Sequence, residues 1–111
     1  MIHWIIAQLI GDYLLQNDWM AVGKKKSWSI CFAHIAFYLL PFWLTDLTII
    51  QMVLVGTQHF LQDRWNFVLW YMKLVGQSNF SKPPMAPWSI IIVDNVFHIV
   101  WISLVVKFVE L

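Results

Sequence analysis

The chain is 111 residues long, 60% hydrophobic and only 12% charged, with eight Trp, whereas a soluble domain carries about 25% charged residues. A single domain of this size cannot hide so much apolar surface in its own core, so lipid is the expected solvent for much of it. The net charge of +1 supplies no concentrated basic face, which excludes nucleic acid as an expected partner.

Residues 2–16 form the first apolar segment, a little short of the ~20 residues a spanning helix needs. Within it Gln8, Asp12 and Gln16 recur at i, i+4 and line one stripe. His3 falls on another face. The start lacks a basic region and a small-residue cleavage site, so the segment is expected to remain in the mature protein. Asp12 is the anomaly, because a carboxylate in hydrocarbon costs about 2.5–3.5 kcal/mol on insertion scales and persists only with a partner or a task.

Residues 17–27 are a polar turn with Gly23 and the run Lys24-Lys25-Lys26, read here for orientation, since lysine-rich short loops stay cytoplasmic. A second apolar segment from Trp28 to about Trp43 carries His34 and ends near Pro41. Its lone Cys31 reads as a small hydrophobe. A third segment spans residues 47–75. It places His59, Gln62, Asp63 and Asn66 on one face, with Gln58 beside them. Residues 76–87 are a Pro- and Ser-rich loop, and residues 88–111 a last apolar segment with Asp94, Asn95 and His98 inside it.

These segments predict an all-α fold, an integral membrane bundle of four transmembrane helices forming one domain over residues 1–111. The lysines predict a multi-pass protein of the cell inner membrane with both termini extracytoplasmic. Counted from the cytoplasmic face, Asp12 lies about 5 residues in, His34 about 6, Asp94 about 7 and Asp63 about 10. At ~1.5 Å per residue these, with His59 and His98 somewhat deeper, all fall within roughly 7–21 Å of that face.

His59-x-x-x-Asp63 and Asp94-x-x-x-His98 each set a nitrogen and a carboxylate one turn apart on a single face, as bundle helices do when they supply metal ligands. The expected metal ligands are His34, His59, Asp63, Asp94 and His98, with Asp12 as catalytic base and Gln8, Gln16, Gln62 and Asn95 as their outer hydrogen-bonding partners. The donor set suits zinc, manganese or iron as a divalent ion. Three carboxylates with no basic residue but Arg64 beside them in sequence also ask for a cation. Two other readings use the same residues: a structural Asp–His network between helices, and a proton relay.

At these motifs the chain resembles a bacterial and phage family of small membrane proteins known as domain of unknown function 3307. The resemblance runs over Asp12-Tyr13-Leu14-Leu15-Gln16-Asn17-Asp18-Trp19-Met20-Ala21 with Lys24, then His34, His59-Phe60-Leu61-Gln62-Asp63 and Asp94-Asn95-Val96-Phe97-His98. Family members often carry His where this chain has Gln8, and many carry Gln where it has Asn95. The resemblance implies an integral membrane location and brings no established activity. The functional expectation is a metal-dependent hydrolase acting on an amphiphilic or lipid-linked substrate at the cytoplasmic leaflet. The alternative is a non-catalytic protein that modulates a partner or host membrane protein.

Overall fold

A computed structural model describes residues 2–15, 17–65 and 67–109. They form an all-α fold with no strand among the described residues. Helix α1, Trp4–Leu9, is opened by His3, whose Nδ1 accepts from the Ile5 amide at 3.1 Å. It runs directly into a π-helical turn, Ile10–Leu14. The short α2, Asp18–Gly23, is capped by Asn17, and α3, Trp28–Leu39, by Ser27. Pro41 lacks the amide a further α-turn would need, and α3 tightens into a 3-10 turn, Leu40–Leu44.

Helix α4, Ile49–Arg64, begins with a reciprocal capping box in which Thr48 and Gln51 each accept from the other's backbone amide. The continuous third helix expected over residues 47–75 divides here, since Trp65 is extended and α5, Phe67–Leu74, starts anew. Tertiary contacts account for the break. Arg64 turns aside to the Lys25 carbonyl at 2.7 Å and lies over the Trp28 ring, and Trp65 meets that ring edge-on. Helix α6, Trp88–Phe108, completes the chain.

Helix α3 packs on α4, α4 on α6, and α1 against both α6 and the end of α3. The apolar core lies between them, built from Ala7, Tyr38, Phe42, Met52, Val55, Ile102 and Val105. Hydrogen bonds fasten α4 to α6 and its C-cap within this core: Trp101 Nε1 donates to the Leu54 carbonyl at 3.1 Å, and Gln51 Nε2 to the Val109 carbonyl at 2.5 Å. Large apolar side chains cover the outside, with Leu14, Phe32 and Phe108 respectively 76%, 69% and 70% exposed. Among the described residues α6 alone, at 21 residues, is long and apolar enough to cross a membrane; Trp4–Leu14 and Trp28–Leu44 are apolar but shorter.

Candidate metal centre

Next to this core the interior is polar. Gln8, Asp12, His34, His59, Gln62, Asp63 and His98 are all buried, although they come from α1, its π turn, α3, α4 and α6. The π turn widens the helix at Asp12, and such turns recur at functional sites. Gly11 makes the approach feasible, because a Cβ there would collide with the carbonyl oxygen and ring of Tyr38. Asp12 is thereby brought against α3 and α4.

Two of the three imidazoles, those of His59 and His98, are stacked, while His34 is tilted against His59 with ring centroids 5.1 Å apart. Tyr38 lies on His59 with ring centroids 3.8 Å apart, and His59 on His98, also at 3.8 Å. Their Nε2 atoms face the carboxylates. His34 and His59 each stand 2.9 Å from Asp63 Oδ2 and 3.0 Å from one another. Asp12 Oδ1 lies 3.6 Å from His34 Nε2 and 3.4 Å from His59 Nε2. The other oxygen of Asp63 is 3.6 Å from His98 Nε2, which is also 3.3 Å from Asp94 Oδ2. Asp63 thus shares its two oxygens between the two halves of the cluster.

An ion held tetrahedrally at ~2.0–2.1 Å by nitrogen and oxygen ligands sets edges of about 3.3–3.4 Å between them. The separations of 2.9–3.6 Å found here bracket that edge. Two groups offer ligand atoms within 4.8 Å of one another: Asp12, His34, His59 and Asp63, and Asp12, Asp94 and His98. This buried cluster could hold a metal ion. Among the described residues His34 Nδ1 and His59 Nδ1 are buried without a hydrogen-bond partner, so the His34 ring is oriented by what its Nε2 faces and the His59 ring by that and by stacking.

Around the cluster, Gln8 Nε2 donates to Asp12 Oδ2 at 3.3 Å and to Asn95 Oδ1 at 3.0 Å, and Tyr38 donates its hydroxyl to Gln8 Oε1. Gln62 Nε2 donates to Asp94 Oδ1 at 2.7 Å and to the Asp94 carbonyl at 3.0 Å, while its own oxygen accepts from Gln58 at 2.5 Å. The structure therefore brings together Asp12, His34, His59, Asp63, Asp94 and His98, with Gln8, Gln62 and Asn95 around them. Gln16 and Asn66 lie outside the described residues. His3 is away from the cluster, capping α1.

Three participants go beyond the expected set. Tyr38 is one turn after His34 on α3, a spacing that would have marked it, and Gln58 is one turn before Gln62. Lys24 is the third, and it corrects the charge argument. Its Nζ is 3.2 Å from Asp63 Oδ2, so the carboxylates do have a basic neighbour, one that comes from the turn. Arg64 points away, as its place on the helix requires. Burial, the strongest influence on the Lys24 ammonium, pulls its pKa down. The nearby charges of Asp63, Asp12 and Asp94, with the hydrogen bond to Asp63, outweigh this and hold it above the ordinary lysine value.

A family model described as Protein of unknown function (DUF3307) matches residues 1–111. The chain belongs to that family. The DUF3307 match spans the segments that carry all six clustered Asp and His, in keeping with the resemblance their motifs show. No curated protein and no solved structure matches this DUF3307 chain.

Proposed function

We propose that this protein is a metal-dependent hydrolase embedded in the cell inner membrane, acting on an amphiphilic substrate at the cytoplasmic leaflet. In this reading the chain crosses the bilayer four times, through α1 with its π turn, α3 with its 3-10 turn, α4 and α6, and both termini are extracytoplasmic. A polar interior under an apolar exterior supports the membrane placement, since lipid favours that inversion.

The observation that carries the metal reading is the mutual spacing of His34, His59 and Asp63, three donor atoms 2.9–3.0 Å apart. Three protein ligands with one position left open is the pattern of catalytic zinc. Asp94 and His98 extend the ligand set on the side of Asp63 Oδ1. A divalent ion held by these residues would supply Lewis-acid activation, the chemistry that brings the pKa of water to about 7. Asp12, whose Oδ1 stands 3.6 Å from His34 Nε2 and 3.4 Å from His59 Nε2, would serve as the general base beside these ligands. A groove of about 820 Å³ lies beside the site, lined by Leu61, Trp65, Trp70, Phe97 and Trp101 and bordered by Gln62. Its size is that of ligand pockets (roughly 300–1,000 Å³) and its character suits an apolar chain.

The Lys24–Asp63 pair favours the second reading, a structural network in a non-catalytic membrane protein that modulates a partner, because it offsets part of the acidic charge without metal. Elemental analysis of protein purified in detergent without a His-rich tag separates the two. We expect about one or two zinc, manganese or iron ions per chain, lost in His59→Ala and Asp94→Asn with helical circular dichroism retained. A metal-free wild type whose variants unfold would leave the structural network as the better account.

A further inference from the structure

The groove of about 820 Å³ beside the cluster has an apolar lining interrupted by Thr57, Gln58 and Gln62. Leu54, Leu61 and Leu104 line its length, and Trp65 and Trp70 stand where α4 breaks and α5 begins. None of the described residues that line it is charged. The directions of its hydrogen bonds follow from Asp94. Gln62 Nε2 faces two acceptors there, Oδ1 at 2.7 Å and the backbone carbonyl at 3.0 Å, so both its hydrogens are engaged and its oxygen points the other way. That oxygen accepts from Gln58 Nε2, which turns Gln58 Oε1 to His98 Nδ1 at 3.3 Å. One hydrogen of Gln58 Nε2 is then left with no partner among the described residues, on a half-buried side chain in the groove wall. Thr57 and Trp101 instead donate to the Val53 and Leu54 carbonyls.

We infer that this groove binds a single hydrocarbon chain ending in an uncharged acyl ester, whose carbonyl oxygen accepts from Gln58 Nε2. The inference rests on the metal-dependent hydrolase reading and adds the class of amphiphile. The leucine walls suit the chain, and they disfavour a charged end, because they hold no counter-charge and an ion taken out of water without a partner is costly. Behind Gln62 stands Asp94, which repels an anionic headgroup. An ester also matches the unpaired hydrogen better than an amide does. It brings an acceptor and no donor, whereas the N–H groups of a primary amide would need acceptors where both glutamine oxygens already accept. Held by Gln58, the ester lies one side chain from the cluster, since Gln58 reaches His98 directly. The recognition comes from groove residues alone and needs no ion.

The test uses the full chain in detergent, as purified and again after chelation, and measures bound amphiphile by native mass spectrometry. Methyl dodecanoate is compared with dodecyl methyl ether, which keeps the chain and loses the carbonyl, with dodecanamide and with dodecyl phosphate. Wild type should bind the ester about 3- to 10-fold more tightly than the ether, the usual worth of one hydrogen bond. It should prefer the ester to the phosphate by at least about 10-fold. Val100→Trp, at a wall position 48% exposed, should fill the groove and weaken ester and ether alike by about 10-fold. Gln58→Leu should bring the ester down to the affinity of the ether. Equal binding of ester and ether by the wild type would overturn the carbonyl contact, whether or not Gln58→Leu folds. Tighter binding of the phosphate or of the amide would overturn the uncharged ester, and binding untouched by Val100→Trp would overturn the groove as its place. Failure of the hydrolase reading is separate and is read from the metal content: a metal-free protein that still prefers the ester keeps the groove assignment and loses the chemistry.

Discussion

Asp63 is where the opposing demands of this site meet. It faces His34 and His59 with one oxygen and His98 with the other, and also accepts from Lys24. In the proposed reading, ammonium and metal ion are alternative ways of balancing the same buried carboxylate. Lys24→Met should therefore cost the metal-free protein about 2–3 kcal/mol, the scale for stranding a buried charged acceptor. Thermal denaturation with chelator should show the loss, and saturating zinc should narrow the gap to wild type. An equal gap in both conditions would mean that lysine and ion do not compete. The Asp and His of the cluster were legible because each interrupts an apolar run at helical spacing. Lys24 was not, because it sits in a turn, where no periodicity says which way a side chain faces. It reads as a topology signal until the turn is seen folded onto α4.

Helices α4 and α6 supply four of the six clustered side chains, and Gln62 is the strut between them. Removing its amide in Gln62→Leu leaves Asp94 without that donor and lets the Asp94–His98 turn drift from Asp63. Metal affinity should fall about 10- to 100-fold, the usual effect of losing an outer partner of a ligand. Competition with a chromogenic chelator would measure it, with circular dichroism confirming that the helices persist; unchanged affinity would remove Gln62 from the site. At this scale the helical class and the α3 end at Pro41 could be read directly. The division of the third segment could not, because residues 64 and 65 are compatible with helix by propensity. It is Trp28, far away in sequence, that draws Arg64 and Trp65 out of line. The π turn was equally hidden, since Gly11 carries no mark of the Tyr38 carbonyl it must pass.

For the whole molecule, the lysine turn and the polar cluster are on the same side, joined through Lys24 and Lys25 to Asp63. In the proposed topology the positive-inside rule puts the cluster near the cytoplasmic face. A periplasm-active reporter fused after Leu111 should be active, and a cytoplasm-active reporter inserted in residues 76–87 should also be active. The opposite pattern would reverse the orientation and move the proposed chemistry to the outer leaflet.

The six clustered side chains are scattered from residue 12 to residue 98, and among the described residues α6 is the one helix of spanning length. If the chain enters a membrane as proposed, Asp12, His34, His59 and Asp63 reach it before Asp94 and His98 are made. In the proposed topology every nascent intermediate therefore holds polar groups in lipid without their final neighbours, at about 2.5–3.5 kcal/mol for each buried charge. In that topology the cluster is complete only once α6 is in place. A fragment lacking it would leave Asp12, His34, His59 and Asp63 without Asp94 and His98.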